Sequence, residues 1–276
     1  MTADFAYDPV TAIDEAKAVG ETAALFAEIR QIMRIPLVTS IWRGLAGMDD
    51  SLHLAWAAAK PIYESDEPER ALMRSVAAVG LPRPESLAPT AFACVGLTES
   101  DIVSARAVIA AYNRSNGLNL MALAALIAPS ATGATTAPAA GVVASLPNWP
   151  QLPPLLPREA IGADTWDMIR HVNAFGSSGV DAGVATLWRH LAHWPAHVAL
   201  IHGAFAPLQS RGLIAEANAR LVALSSAEGA RMAHLRLTSP ALSRQACATI
   251  TGYVGSPSQV VRMVTIGHAL AEWLDR

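Results

Sequence analysis

Apolar residues recur every three to four positions along most of the chain, which is the spacing of amphipathic and buried helices. Alanine is abundant and β-branched residues seldom alternate with polar ones, so the strand pattern is scarce. The pattern predicts an all-α protein. The predicted helices are Thr11–Met33, Thr39–Ala46, Ser51–Tyr63, Pro68–Val79, Ser100–Asn113, Leu118–Ile127, Ala163–Ala174, Gly183–His193, Pro195–Phe205, Ala215–Ser225, Pro240–Tyr253 and Ser258–Leu274.

Polar and proline residues mark where several of these helices begin. Thr98 stands two residues before an apolar-periodic run and can cap it. Pro240 and Pro257 suit the entry to a helix, where the missing N–H has no helical partner in any case.

One segment breaks the helical pattern. Residues 128–157 are rich in proline, glycine, alanine and threonine and carry almost no charge. We interpret this segment as a linker or crossover that is partly extended at its proline-rich end. It predicts a first helical unit over 1–127, a linker over 128–157 and a second unit over 158–276.

The two units share a pattern that predicts a tandem duplication. Ile29-Arg, Trp42-Arg-x-Leu-Ala and Pro61 precede the linker, and the same residue types recur at Ile169, Trp188 and Pro207. The tryptophan and the proline are 19 residues apart in both copies. We therefore expect two similar helical repeats that pack as a pseudo-dimer.

The copies also differ in ways that favour one asymmetric site between them. The second copy has six more residues between its isoleucine and tryptophan, within a glycine-rich stretch that contains Asp181. The first copy carries Asn113 and Asn116 after its Tyr112, where the second has Val254 and Pro257 after Tyr253. Repeats that only packed together would have no reason to diverge in this way.

Composition and charge narrow the range of function classes. The chain is 52% hydrophobic and 16% charged, so it can form a substantial core. No apolar run is long enough for a transmembrane helix, and the acidic N-terminus does not resemble a secretory signal. A net charge of −3 gives no electrostatic case for nucleic-acid binding. We expect no membrane and no nucleic-acid partner.

The two cysteines, Cys94 and Cys247, are far apart and form no CxxC pair. We expect both to be buried thiols of a cytoplasmic protein.

Asp181 has two interpretations from the residues alone. It can cap the helix that follows it, stabilised by free N–H groups and the helix dipole. It can also act as a general base that activates water where the two repeats meet.

The Tyr112–Asn116 stretch is open to two interpretations as well. The two asparagines and the following Gly117 can mark a helix C-terminus. Alternatively, a neutral amide can orient a water molecule or a carboxylate without competing for its proton.

Other polar residues give weaker signals. His190, His193 and His197 have spacings of three and four, but Pro195 interrupts them and no HExxH motif or cysteine accompanies them, so we expect no metal site. Arg43 and Arg189 recur at equivalent repeat positions, which favours a structural role over binding of a carboxylate substrate. The chain has no GxSxG, Walker or GxGxxG motif.

Three stretches resemble the group I 2-haloacid dehalogenases, which act on both D- and L-enantiomers. These are residues 29–46, residues 111–120 and residues 187–195, and their order matters more than any one of them. The resemblance implies an all-α pseudo-dimer whose active site lies between the repeats. It also implies hydrolysis of a 2-haloalkanoate to a 2-hydroxyalkanoate by direct attack of water with inversion, without metal, cofactor or covalent intermediate.

The resemblance assigns roles to individual residues. Asp181 corresponds to the base, and the polar partner corresponds to Asn113, with Asn116 second. Substrate-binding contacts would come from Tyr112, Asn116, Phe26, Ile29 and Tyr253. Two alternatives remain open: another small-molecule activity on the same fold, and a non-catalytic helical binder of a small apolar acid. The sequence also leaves a homo-oligomer open.

Overall fold

The computed structural model describes residues 12–129, 148–177, 183–237 and 242–275, and all regular structure within these ranges is helical. The α-helices are α1 Gly20–Met33, α2 Ser40–Leu45, α3 Ser51–Glu64, α4 Glu67–Val79, α5 Pro89–Cys94, α6 Glu99–Ile127, α7 Ala163–Asn173, α8 Thr186–Leu191, α9 Pro195–Ser210, α10 Leu213–Met232, α11 Arg244–Gly255 and α12 Val260–Leu274. The all-α prediction is confirmed for this part of the chain.

Helix α6 is the centre of the fold. It packs against α10 and α12 from the second half of the chain and against α3 and α4 from the first. Residues 115–126 of α6 are buried on every side, so this stretch has no solvent face. The hydrophobic core is one continuous cluster with members from both halves.

The sequence prediction of two helices, Ser100–Asn113 and Leu118–Ile127, was wrong, because α6 runs unbroken through both. Gly117 does not end a helix. A Cβ at Gly117 would lie 2.4 Å from Leu72 Cδ2, so this glycine allows α4 to approach α6 closely.

The start of α6 follows the predicted capping pattern. The Thr98 hydroxyl accepts a hydrogen bond from the Asp101 N–H at 3.2 Å, and the Asp101 carboxylate accepts one from the Thr98 N–H at 2.9 Å. Pro195 begins α9, as expected, so His190, His193 and His197 do not share one helix. Pro257 lies three residues before α12 begins, and Pro240 lies outside the described residues.

The boundaries of other helices differ from the predicted ones. Helix α5 was missed, and α10 extends from Leu213 to Met232, well beyond the predicted Ala215–Ser225. A close approach explains part of α10: a Cβ at Gly229 would lie 2.7 Å from the Ala124 carbonyl carbon of α6. Tertiary packing extends α10 beyond the stretch that its own periodicity marks.

Residues 148–157, the described end of the predicted linker, form no helix. We call residues 149–157 the proline-rich strap. The Trp149 indole N–H donates to the Arg34 carbonyl at 3.0 Å, which fastens the strap to the end of α1. Within the described ranges, no helix has both the length and the apolar character needed to span a bilayer.

The expectation of buried cysteines was wrong. Cys94 and Cys247 are both exposed free thiols. Cys94 is the last residue of α5, and Cys247 lies in the first turn of α11 on its exposed side.

His197 is a polar side chain enclosed by apolar neighbours. It is 1% exposed, and neither ring nitrogen has a hydrogen-bond partner among the described residues. Its ring packs edge-on to Phe92 with centroids 6.3 Å apart. Burial lowers the pKa of His197 from 6.5 to about 4.

This burial predicts a loss of stability in mild acid. Below pH 6.5 the unfolded chain binds a proton that folded His197 does not take up, so the free energy of unfolding decreases as the pH falls from 6.5 toward 4. From pH 7 to pH 5, His197 should lower it by about 2 kcal/mol. Urea unfolding at both pH values should show a loss smaller by this amount in His197→Phe.

The exposed His234 provides the control. His234→Gln should keep the wild-type pH dependence. An equal loss of stability in wild type and His197→Phe between pH 7 and pH 5 would contradict this account of His197.

Candidate functional site

Three buried asparagines lie along α6 at intervals of three residues: Asn113, Asn116 and Asn119. Residues three apart on a helix lie near each other on its surface, so the asparagines form one polar row that spirals gently around α6. Amides rarely enter an apolar core unless they are hydrogen-bonded. The partners of each amide therefore distinguish a structural role from a functional one.

Asn119 is fully engaged in structural hydrogen bonds. Its Oδ1 accepts from the Trp42 indole N–H at 3.0 Å and from the Tyr63 hydroxyl at 2.8 Å. Its Nδ2 donates to the Thr39 hydroxyl at 2.7 Å. These bonds join α6 to the start of α2 and to α3, and Asn119 is fully buried.

Tyr63 shows how apolar the surroundings of this network are. Burial, and then the nearby Tyr253 phenol, raise the pKa of Tyr63 well above its ordinary value. Tyr63 therefore stays a neutral hydrogen-bond donor to Asn119.

Asn113 is half engaged: of the two polar atoms of its amide, one has a hydrogen-bond partner among the described residues and the other has none. Its Nδ2 donates to the Gly267 carbonyl on α12 at 2.9 Å, and because a carbonyl can only accept, this bond fixes which way the amide points. Asn113 Oδ1 is buried and has no hydrogen-bond partner among the described residues. A buried oxygen left in this state costs about 1–3 kcal/mol, so this amide is a candidate binding group.

Gly267 makes room for this amide. A Cβ at Gly267 would lie 2.0 Å from Asn113 Oδ1, far inside contact distance. Any other residue at 267 would displace the Asn113 side chain. The predicted alternative, in which Asn113 and Asn116 mark a helix C-terminus, was wrong because both lie within the continuous α6.

Tyr112 faces a different part of the molecule from Asn113. Its hydroxyl lies 3.3 Å from His190 Nδ1 on α8, and the two rings meet edge-on. Tyr112 lines an open cleft of about 790 Å³. The proline-rich strap, the α1–α2 connection, residues 14–16, Arg30, Arg43, Thr186 and His190 also line it.

The remaining predicted pocket residues lie in the core. Phe26 and Ile29 are buried on α1, which packs against α3, and Tyr253 is buried on α11 near Tyr63. None of these three lines the 790 Å³ cleft, and neither do Asn113 and Asn116. Of the predicted site residues that the structure describes, only Tyr112 lines that cleft.

Asp181 lies outside the described residues, but both flanks of its segment are held in place. Gly176 adopts φ +69° and its N–H donates to Gln209 Oε1 at 2.9 Å. On the other side, Asn173 Nδ2 donates to the Gly183 carbonyl at 3.2 Å, and Asn173 Oδ1 accepts from the Ala185 N–H at 3.0 Å. The end of α7 thus fixes where the chain re-enters the core.

Asn173 is the anchor of the Asp181 segment, and Arg262 on α12 holds it in place. Its guanidinium is completely buried and donates to the Asn173 carbonyl and, at 3.2 Å, to Asn173 Oδ1. Its Nε donates to the Ser258 carbonyl at 2.7 Å. Helix α12 therefore contacts both Asn113, through Gly267, and the anchor that precedes residue 181. Along the axis, residues 262 and 267 are about 7.5 Å apart.

Sequence reasoning missed Gly267, Arg262, Asn173 and Asn119. Each is important for a contact with a distant segment, and a single sequence does not reveal such contacts. Within the described ranges, no cluster of three or more His, Cys, Asp or Glu side chains could hold a metal ion.

Solved structures of haloacid dehalogenases have a similar fold. A D-2-haloacid dehalogenase mutant matches with a TM-score of 0.72 and 16% identity over 95% of each chain. A mutant in complex with D-2-CPA, and the D-2-haloacid dehalogenase in complex with L-LA, each match with a TM-score of 0.66 and 18% identity over 94% of this chain and 95% of theirs.

The likeness shows a shared fold. It confirms, at the level of fold, the resemblance that the sequence indicates. No family profile and no curated protein sequence matches this chain.

The contrast between two asparagines of one helix predicts different costs of substitution. Asn119→Ala would leave Trp42, Tyr63 and Thr39 each without a buried partner and should lower the free energy of unfolding by about 3 kcal/mol or more. Asn113→Ala would leave only the Gly267 carbonyl and should cost about 1–2 kcal/mol.

Urea unfolding of both variants at pH 7 measures this difference. Equal losses would mean that Asn113 has structural partners equivalent to those of Asn119, which would contradict a binding role for Asn113.

Proposed function

We propose that this protein is a hydrolase that dehalogenates small 2-haloalkanoic acids of both D and L configuration to 2-hydroxy acids. The observation that carries the proposal is the half-engaged amide of Asn113, a buried acceptor whose orientation Gly267 fixes. The fold shared with D-2-haloacid dehalogenases supports the same reaction class.

In the proposed mechanism, Asn113 Oδ1 accepts a hydrogen bond from a water molecule, and Asp181 takes a proton from that water. The water oxygen attacks Cα from the side opposite the halogen. The carbon–oxygen bond forms as the carbon–halogen bond breaks, so halide leaves with the bonding electron pair and Cα is inverted. Asp181 then releases its proton to solvent.

The buried setting suits this chemistry. An amide holds a water without titrating, so Asn113 does not compete with Asp181 for the proton. A carboxylate removed from bulk water becomes a stronger base, and a positioned water needs little reorganisation before attack. No metal ion or cofactor has a part in the proposed steps.

Anchoring through α12 supports the pairing of Asp181 with Asn113. Arg262 holds the end of α7 that precedes the Asp181 segment, and Gly267 holds Asn113. Because both contacts are made by one buried helix, the base and the water-binding amide would share a rigid support. Tyr112, Phe26, Ile29, Asn116 and Tyr253 stay proposed contacts to substrate.

We also propose that the chain is a tandem duplication with pseudo-dimeric packing. Two features support it. Helices α2 and α8 are each six residues long and carry the repeated Trp-Arg pair. The helices that follow, α3 and α9, each contain an internal proline, Pro61 and Pro207.

Halide release from racemic 2-chloropropionate and 2-bromopropionate tests the function. Wild type should release halide from both enantiomers, and Asp181→Asn should lower kcat by at least about 1000-fold because no base remains to take the proton of water. Asp167→Asn is the matched control, because Asp167 is an exposed carboxylate that pairs with Arg170 and His171 on α7.

Each other outcome has a definite meaning. Release that survives Asp181→Asn but vanishes in Asp167→Asn or Asp164→Asn would retain the reaction and contradict Asp181 as the base. No release from wild type would contradict the function and favour a different activity or a non-catalytic binder of small apolar acids. Calorimetric titration with propionate would then test binding.

Gly267, whose carbonyl accepts from the Asn113 amide, gives a second prediction. Gly267→Ala should lower kcat about as much as Asn113→Ala, because its Cβ would push the amide oxygen from its position. Gly252→Ala is the control, since a Cβ at Gly252 on α11 meets nothing within 4 Å. Halide release close to wild type in Gly267→Ala would contradict the role of the Asn113 amide.

A further inference from the structure

Polar side chains on and just after α8 bind the carbonyl groups of the proline-rich strap. The bonds run from His190 Nε2 to Pro153 O at 2.5 Å, from His193 Nε2 to Pro154 O at 2.8 Å, and from Arg189 Nε and Nη2 to Leu156 O at 3.1 and 2.8 Å. Proline lacks an N–H, so its carbonyl is the only backbone group it can offer. These bonds hold the strap over the cleft.

The bond to Pro153 determines the protonation of His190. A carbonyl oxygen can only accept, so Nε2 carries the hydrogen. Burial lowers the pKa of His190 below its ordinary value; the bond to Pro153 opposes this shift, and the neighbouring His193 and Arg189 add to it. The direction of the net shift favours a neutral ring at pH 7. In a neutral ring protonated at Nε2, Nδ1 is an acceptor, and the Tyr112 hydroxyl is the donor in their 3.3 Å contact.

His190 therefore joins two walls of the cleft through one ring. One wall is the strap, reached through Nε2, and the other is Tyr112 on α6, reached through Nδ1. His190 is 4% exposed and Tyr112 is 3% exposed, so water does not compete freely for either bond. Tyr112 directly precedes Asn113 in α6, although the two side chains face different parts of the molecule.

We propose that His190 is a positioning residue that holds Tyr112 and the strap at a fixed separation, and so sets the shape of the cleft by which substrate enters. This inference rests on the proposed function. The cleft, at about 790 Å³, is far larger than a three-carbon acid needs, so its shape governs access rather than chemistry.

The comparison between the repeats favours such a specific role. His190 follows the Trp188-Arg189 pair, whereas Gly44 follows the equivalent Trp42-Arg43 pair. An imidazole needed only for packing would have no reason to occur in the second copy alone.

Two substitutions separate the two bonds of His190. His190→Asn places an amide near the position of Nδ1, so it can accept from Tyr112 but cannot reach Pro153. His190→Gln places an amide N–H near Nε2, so it can donate to Pro153 but offers no acceptor to Tyr112. Each variant loses one hydrogen bond, and urea unfolding should show similar stabilities for the two.

Steady-state halide release should distinguish the variants. We expect His190→Gln and Tyr112→Phe each to raise KM about five- to tenfold with kcat changed less than about twofold, because Asp181 and Asn113 are not altered. The double variant that combines His190→Gln with Tyr112→Phe should have a KM no higher than that of either single variant. His190→Asn keeps the bond to Tyr112, so its KM should stay within about twofold of the wild-type value. His193→Ala, which removes a strap bond without contacting Tyr112, is the control.

Equal KM values for His190→Asn and His190→Gln, or additive effects with Tyr112→Phe, would contradict the positioning role. The ring itself gives a readout that does not depend on activity. Nitrogen-15 NMR at pH 7 should show a neutral His190 protonated at Nε2, with an Nδ1 shift that moves in Tyr112→Phe. A charged ring or an Nδ1-protonated ring would overturn the proposal even if the dehalogenase activity holds, and the predicted spectrum would support it even if that activity fails.

Discussion

Burial of residues 115–126 of α6 on all sides is the constraint on which the rest of the structure depends. In this stretch, and at the buried Asn113 just before it, every polar side-chain atom must find a partner within the protein or be left unpaired at a cost. Among the described residues, Asn119 meets the constraint with three partners and Asn113 with one. Asn113 Oδ1 is therefore a buried acceptor that needs an explanation, and the proposed water molecule supplies one.

Close contact between helices makes this arrangement possible. Gly117 lets α4 approach α6, Gly229 brings α10 against Ala124, and Gly267 leaves room for the Asn113 amide. The second half of the chain thus provides most of the surroundings of a helix that belongs to the first half. This packing supports the proposed site between the halves, because α12 contacts Asn113 and also Asn173, which holds the residues that flank the Asp181 segment.

The sequence predicts the helical class, most helix positions and the Thr98 cap, because these depend on local periodicity and on side chains within a few residues. It fails at Tyr112–Gly117, where a glycine and two asparagines look like a helix end and instead reflect the close approach of α4 and a polar row in the core. It also fails for the cysteines, whose exposure depends on which helix faces turn outward. Gly267 and Arg262 could not be predicted, because their partners lie far away in the sequence.

The most direct test of the central claim is a crystal structure of Asp181→Asn with bound 2-chloropropionate. The account predicts an ordered water about 2.7–3.1 Å from Asn113 Oδ1, on the side of Cα opposite the chlorine. The Asn113 amide should keep its bond to the Gly267 carbonyl in that complex. An Asn113 oxygen in contact with apolar atoms alone, with the substrate bound elsewhere, would contradict the account.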